Sequence, residues 1–380
     1  MKGRLVWLPF QLFFLLYLMS LISLASGYGN FLSASEVTSR VVNLLHVGRL
    51  PVSPVEGLLA LREALATNYH QQEGPPITPA NIVVTPGTKA ALFALLNAVL
   101  HPGDEVLLPT PNWFGFWELA ERAGGVVREL PLNNADNYAL TPEVLQAAIT
   151  PKTRVIIFTN PNNPTGRIYR RTEVEALLAV TRQYPQLFVL SDEIYDGICF
   201  ASEPVPSLLS FPDPNGQHLV VNGFSKSLTL LGWNIGYLVA PPAVARACAR
   251  QQFATGGAVA VPSQIAALAA TEARSTITTT LQQQLLPNRQ RLLDFLTTLP
   301  GALPHLPGGT YYAFPDLRSF LAPGLAPADA SGQLVTKLKT AGVVVVDGAT
   351  CGAPGFARLS YAVPAAELTE AIRRLTTVLR

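Results

Sequence analysis

Apolar positions along this chain follow two periods in turn. From Glu36 to Leu50 (EVTSRVVNLLHVGRL) they recur at helical spacing, with Val37, Val41, Leu44 and Leu45 on one face. Ser35 stands where an N-cap belongs. A turn follows at 51–57 (PVSPVEG), then a second helix from Leu58 to His70. Asn81 to Thr85 reads as a short strand closed by Pro86-Gly87, and Thr88 to Leu100 as an apolar helix that starts directly after that glycine. Past the turn His101-Pro102-Gly103-Asp104, a strand runs from Glu105 to Leu108. The alternation then repeats. Val155 to Thr159 is an apolar strand, Asn160 to Gly166 a loop, and Thr172 to Gln183 a helix. The strands Leu187 to Leu190 and Leu219 to Asn222 come next.

Continuous apolar strands separated by helices predict an α/β fold, with a mostly parallel sheet covered on both faces. A Pro/Gly-rich stretch near 300–309 marks a change of domain. Beyond it lie a short strand pattern (Val343 to Val346) and a closing helix (Ala365 to Leu379). The expected division is a large domain over 51–290 and a small α+β domain from 22–50 with 291–380. Residues 1–21 are an apolar segment, either an anchor or an atypical arm.

Composition narrows the function. Of 380 residues, 49% are apolar and 14% charged, which excludes a disordered chain. Net charge is +2, from 27 basic and 25 acidic residues, so no single-sign field points to nucleic acid. Three distant cysteines make no disulfide framework, and five scattered histidines have no metal-ligand spacing. Leu5 to Ala25 is almost wholly apolar behind Lys2 and Arg4. On its own this reads as a signal peptide, cut near Ala25-Ser26-Gly27, or as a membrane span.

Ligands of open α/β sheets bind outside the carboxyl ends of the strands, and four such ends carry chemistry. Thr85-Pro86-Gly87-Thr88-Lys89 opens a helix whose free N–H groups suit a phosphate, although a plain strand-to-helix turn would look the same. In Asn160-Pro161-Asn162-Asn163-Pro164-Thr165-Gly166 the prolines limit the loop, so the asparagines can be held in fixed directions. Asp192, just past a strand, could cap a helix or hold a cationic ring nitrogen. Lys226 comes after a buried strand, where desolvation would lower its pKa and free the amine as a nucleophile; a surface lysine on a loop is the plain alternative.

Together these segments resemble class I aminotransferases, the pyridoxal-phosphate enzymes of fold type I, over about residues 22 to 380. The carrying runs are VTPGTKAALFALLNAVLHPGDEVLLPTPNWFGF, TNPNNPTGRIY, SDEIYDGICF, VNGFSKSLTLLGWNIGY and FARLSYAV, in family order and spacing. The likeness is strongest to the aspartate and aromatic branch. It implies a three-layer α/β/α large domain with a mixed, mostly parallel sheet, and pyridoxal 5'-phosphate as cofactor. It implies a homodimer, and ping-pong transfer of an amino group between an L-amino acid and a 2-oxo acid. Lys226 would be the Schiff-base lysine and proton carrier, and Asp192 the partner of the ring nitrogen. Tyr195 and Asn163 would bond the ring oxygen, and Trp113 would stack on the ring. Gly87, Thr88 and Lys89 would hold the phosphate end, and Ser225 would also bind the cofactor. Arg358, with Gly27 and Asn163, would take the substrate carboxylate.

Two positions depart from the family pattern. Asn234, in Gly232-Trp233-Asn234-Ile235-Gly236-Tyr237, stands where the family has a phosphate-binding arginine. Val52 falls where a tyrosine usually reaches the neighbouring subunit's phosphate. Both predict weakened cofactor binding with the chemistry intact. Lys89 either replaces the lost charge or faces an acidic substrate side chain. The aromatics Trp113, Phe114, Phe116 and Trp117 would fit an aromatic donor, with Phe114 and Trp117 read as core. The stretch Ile22 to Phe31 resembles the family's early strand and turn, which argues against cleavage near residue 26. The expectation is a cytoplasmic enzyme, with membrane contact through residues 5–25 left open. The alternatives are another fold type I enzyme, a lyase or synthase, or a non-catalytic scaffold.

Overall fold

The computed structural model describes residues 21–29, 31–69 and 74–379. The apolar segment 1–21 therefore lies outside the described residues except for Leu21. Among the described residues, twelve strands occur in chain order. They are β1 (Ile22–Ser23), β2 (Ile82–Thr85), β3 (Glu105–Thr110), β4 (Val126–Pro131), β5 (Thr153–Thr159), β6 (Phe188–Asp192), β7 (His218–Gly223), β8 (Gly236–Val239), β9 (Tyr312–Ala313), β10 (Val343–Val344), β11 (Val346–Asp347) and β12 (Ala357–Ser360).

Seven of them form the central sheet, in the order β2-β8-β7-β6-β5-β3-β4. Strands β4, β3, β5, β6 and β7 are parallel to one another, and β8 runs antiparallel to both β7 and β2. The central strands are buried on both faces, which is why they read as unbroken apolar runs. Apolar clusters lie on both faces: Val84, Ile156, Val189 and Val220 belong to one, and Val83, Val155, Leu190 and Leu219 to the other. The result is the expected α/β fold with a mostly parallel mixed sheet.

The apolar pattern does not reveal β4 and β8. Strand β4 is a half-exposed edge strand without a continuous apolar run. Strand β8 has only four residues and opens on a glycine. The region read as one strand at 343–346 is two: β10 pairs with β1, and β11 pairs with β12 in a three-stranded antiparallel sheet with β9.

The first helix is Ser35–His46, shorter than its pattern, and Leu45 is exposed. Ser35 does not cap it. The N-cap is Ala34, and the Ser35 hydroxyl bonds Glu36 instead. Val37 and Val41 bury against the large sheet's cluster, beside helix Val261–Glu272. A second cluster joins Ile22 and Leu24 to Leu292, Leu334, Val343, Leu359 and Leu375. Cleavage near residue 26 would therefore remove a paired strand and the fully buried Leu24. No helix among the described residues is long and apolar enough to cross a membrane.

Candidate active site

A cavity of about 350 Å³ opens at the carboxyl ends of β5, β6 and β7. Nine of the residues singled out from sequence line it: Gly27, Thr88, Lys89, Trp113, Asn163, Asp192, Tyr195, Lys226 and Arg358. Gly87 and Ser225 sit one residue outside the lining, next to Thr88 and Lys226.

Each strand end sets one group. Helix Thr88–Val99 starts from Gly87, which has φ +84° and no side chain to cap the first N–H groups. Those donors are left for an anion. The cradle is tight. A Cβ at Gly223 would sit 2.7 Å from Thr88 Cγ2, one at Gly236 2.8 Å from the Thr88 nitrogen, and one at Gly87 2.8 Å from Asn234 Oδ1. Asn234 is therefore beside the phosphate end, as a neutral group on an exposed residue.

The asparagine loop divides its labour. Asn160 bonds both backbone groups of Tyr169. Asn162 Oδ1 accepts from the Thr165 nitrogen and hydroxyl. With those two bracing the loop, Asn163 is free for the cavity, where its Oδ1 accepts from Arg358 Nη1 at 3.0 Å.

Asp192 ends β6. Its Oδ1 accepts from the Ile194 nitrogen at 3.1 Å, and no helix comes directly after it to be capped. Burial raises its pKa to about 6, against the opposing pull of the Ile194 N–H and of Lys226. Burial likewise lowers the Lys226 amine to about 7; the Arg358 charge adds to this, Asp192 opposes it, and Lys89 adds a little more. This lysine is no surface group. Its amine donates to the Gly27 carbonyl and lies 3.7 Å from the Tyr28 ring centre. The Tyr195 hydroxyl pairs with that of Tyr312 at 2.8 Å, and burial holds the Tyr195 phenol protonated far above its ordinary range.

Arg358, on β12, is only 4% exposed. It donates to Asn163 Oδ1 and to the Ala25 carbonyl, both neutral, and its Nε has no partner. A buried guanidinium held by neutral acceptors is suited to receive a carboxylate.

Phe114, expected in the core from its type, is not core: it is 46% exposed and lines the cavity. Trp117 is half-buried, with its indole N–H on Glu129. Trp113 lies edge-on to the buried Phe116, with Lys89 Nζ 5.7 Å from its ring centre. Tyr312 joins the site without any sequence signal. Its hydroxyl reaches the cavity only because β9 lies beside β12, a pairing invisible in a Gly-Thr-Tyr-Tyr run.

These groups fit the cofactor that the resemblance implies. An anion cradle at Thr88, a carboxylate at Asp192 for a cationic ring nitrogen, a nucleophilic amine at Lys226 and an aromatic wall at Trp113 face one cavity.

Comparison with known proteins agrees. The model of the family "Aminotransferase class I and II" matches residues 21–375. An aspartate/prephenate aminotransferase of Thermus thermophilus is 33% identical, covering 94% of this chain and 91% of its own. An aspartate aminotransferase of Geobacillus stearothermophilus is also 33% identical, covering 93% and 90%. Among solved structures, the Thermus thermophilus aspartate aminotransferase with maleate superposes with a TM-score of 0.87 at 31% identity over all of both chains. This chain belongs to the class I and II aminotransferases and is a pyridoxal-phosphate-dependent transaminase.

Proposed function

We propose that the amino donor is an acidic L-amino acid, with aspartate first, and that the acceptor is a 2-oxo acid. The observation that carries this reading is the presence of two cations besides Lys226 in one cavity. Arg358 would take the α-carboxylate and Lys89 the side-chain carboxylate. A solved neighbour is the Thermus thermophilus aspartate aminotransferase with maleate, itself a dicarboxylate. An aromatic donor is the second reading, favoured by Trp113 and the exposed face of Phe114. Replacing Lys89 with alanine separates the two. A charge-assisted hydrogen bond is worth about 1.5–3 kcal/mol, so kcat/KM for aspartate should fall about tenfold to a hundredfold. The value for phenylalanine should hold. An equal loss for both donors would place Lys89 on the cofactor instead.

The residue roles match the chemistry. Bound pyridoxal 5'-phosphate supplies an electron sink for the donor's Cα. The Lys226 amine, its pKa lowered to about 7, would hold the cofactor as the site's nucleophile and move the proton at Cα. Asp192, charged at pH 7, keeps the ring nitrogen protonated. Tyr195 and Asn163 would hold the ring oxygen, and Trp113 would cover one ring face. Thr88 and the N–H groups after Gly87 would hold the phosphate, with Ser225 also beside the cofactor.

Asn234 leaves that phosphate end without a guanidinium. Asn234→Arg should tighten cofactor binding by about tenfold to a hundredfold, read by titrating intrinsic fluorescence with pyridoxal 5'-phosphate. An unchanged Kd would show that the helix N-terminus suffices without a guanidinium.

The chain is read as a homodimer, in which Val52, 96% exposed, and Phe253, 76% exposed, could be covered. For the division into 51–290 and 22–50 with 291–380, the cluster joining Ile22 and Leu24 to residues beyond 291 gives support, although it also takes in Ile194, Tyr195, Ile198, Leu281 and Leu285 of the large domain. Helix Ser35–His46 favours ending the first small-domain piece before it.

A further inference from the structure

Tyr311 is among the largest fully buried side chains, and the roles above leave it unused. Its hydroxyl donates to the Gly27 carbonyl at 2.6 Å. The Lys226 amine donates to that same carbonyl. Gly27 lies in an irregular segment between β1 and helix Ser35–His46, where no sheet ladder fixes the direction of a carbonyl. Tyr311 is fixed. Its ring stands edge-on to Tyr195 and Tyr312, with centroids 5.5 and 5.0 Å away. Space at Gly27 is also limited. A Cβ there would lie 3.2 Å from the Tyr312 hydroxyl and 3.7 Å from Lys226 Nζ.

We propose that Tyr311 is a positioning residue for the Lys226 amine: its hydroxyl fixes the Gly27 carbonyl as the acceptor on which the amine rests when it is free to carry a proton. This rests on the reading of Lys226 as the proton carrier. A lysine has a flexible four-carbon stem, and an amine without a fixed acceptor is spread over many rotamers. Proton transfer is sensitive to such spreading, because the base must lie within hydrogen-bond reach of the proton. The other groups around the amine are Arg358 from β12, Asp192 from β6, Lys89 from helix Thr88–Val99 and the phenols of Tyr28, Tyr195 and Tyr312. Arg358 and Lys89 repel the ammonium form, and Asp192 and the Gly27 carbonyl support it.

The test compares Tyr311→Phe with Tyr361→Phe in the full chain. Both keep the ring and remove a buried phenol bond to a backbone carbonyl; the Tyr361 hydroxyl donates to Thr310 and also meets Arg289, and does not line the cavity, while that of Tyr311 also meets those of Tyr312 and Tyr195. Three readouts are taken: kcat and KM, the isotope effect with Cα-deuterated L-aspartate, and the pH midpoint of the rate at which added pyridoxal 5'-phosphate develops its visible band. In Tyr311→Phe, kcat should fall about tenfold, the size of one hydrogen bond, with KM little changed. The isotope effect should rise as proton transfer becomes limiting. The midpoint should move down by about half to one pH unit, because the ammonium loses its fixed acceptor. Tyr361→Phe should lose only stability. If Tyr311→Phe matches Tyr361→Phe in isotope effect and midpoint, Tyr311 is packing and the proposal is wrong. If Lys226→Met still turns over, it is the reading of Lys226 that fails, independently of Tyr311.

Discussion

Lys226→Met should abolish turnover and, at the same time, make the cofactor-free protein more stable. Losing both the nucleophile and the positioned proton carrier should lower kcat by about 10⁴-fold or more. The gain in stability comes from burial. The folded pKa of Lys226 is about 7 against an ordinary 10.5, so the unfolded chain binds more protons between those values. Wild-type stability therefore rises with pH across that window. The penalty of the buried ammonium is fully present below about pH 7 and fades toward 10.5. Methionine, of similar length and uncharged, removes it. The variant should gain of the order of a few kcal/mol at pH 7 and almost nothing at pH 10.5. Urea denaturation at the two pH values measures this. A destabilised variant at pH 7 would mean that Lys226 serves the fold rather than the reaction.

Arg358→Leu should reduce kcat/KM for every amino donor alike, in contrast to the selective effect expected at Lys89. Removing one partner of a buried, hydrogen-bonded charge pair costs about 2–5 kcal/mol, or roughly thirtyfold to several thousandfold. Arg358→Lys should rescue little, because the planar fork serves Asn163, the Ala25 carbonyl and a carboxylate together. The Arg358 charge also lowers the Lys226 pKa, so its removal should raise that value. The acid limb of the rate profile should move to higher pH. Steady-state kinetics against pH with aspartate and phenylalanine would reveal both effects. A loss confined to one donor would remove Arg358 from the α-carboxylate.

Much of this site is legible in the sequence because its residues sit just past strands buried on both faces. Such strands read as apolar runs, and the polar residues at their carboxyl ends stand out against them: Asn163 after β5, Asp192 at the end of β6, Lys226 after β7. The glycine before Thr88 is equally plain. The hidden features depend on distant pairing. Strand β1 has two residues, and it is a strand only because Val343 and Val344 lie beside it. Tyr311 and Tyr312 carry no periodic signal, and their hydroxyls gain meaning once β9 sits against β12. Phe114 reads as core by its type, yet its backbone turns it toward the cavity just before helix Gly115–Arg122. Ser35 has the composition of a cap but lies one residue inside its helix.

The visible spectrum of the protein with pyridoxal 5'-phosphate, before and after L-aspartate, tests the central claim most directly. The expected result is a band from the cofactor joined to Lys226. Aspartate should convert it to the amine form, and an equivalent of 2-oxo acid should appear. The absence of any Lys226-dependent band, even at high cofactor concentration, would contradict the assignment of this chain's lysine to transamination.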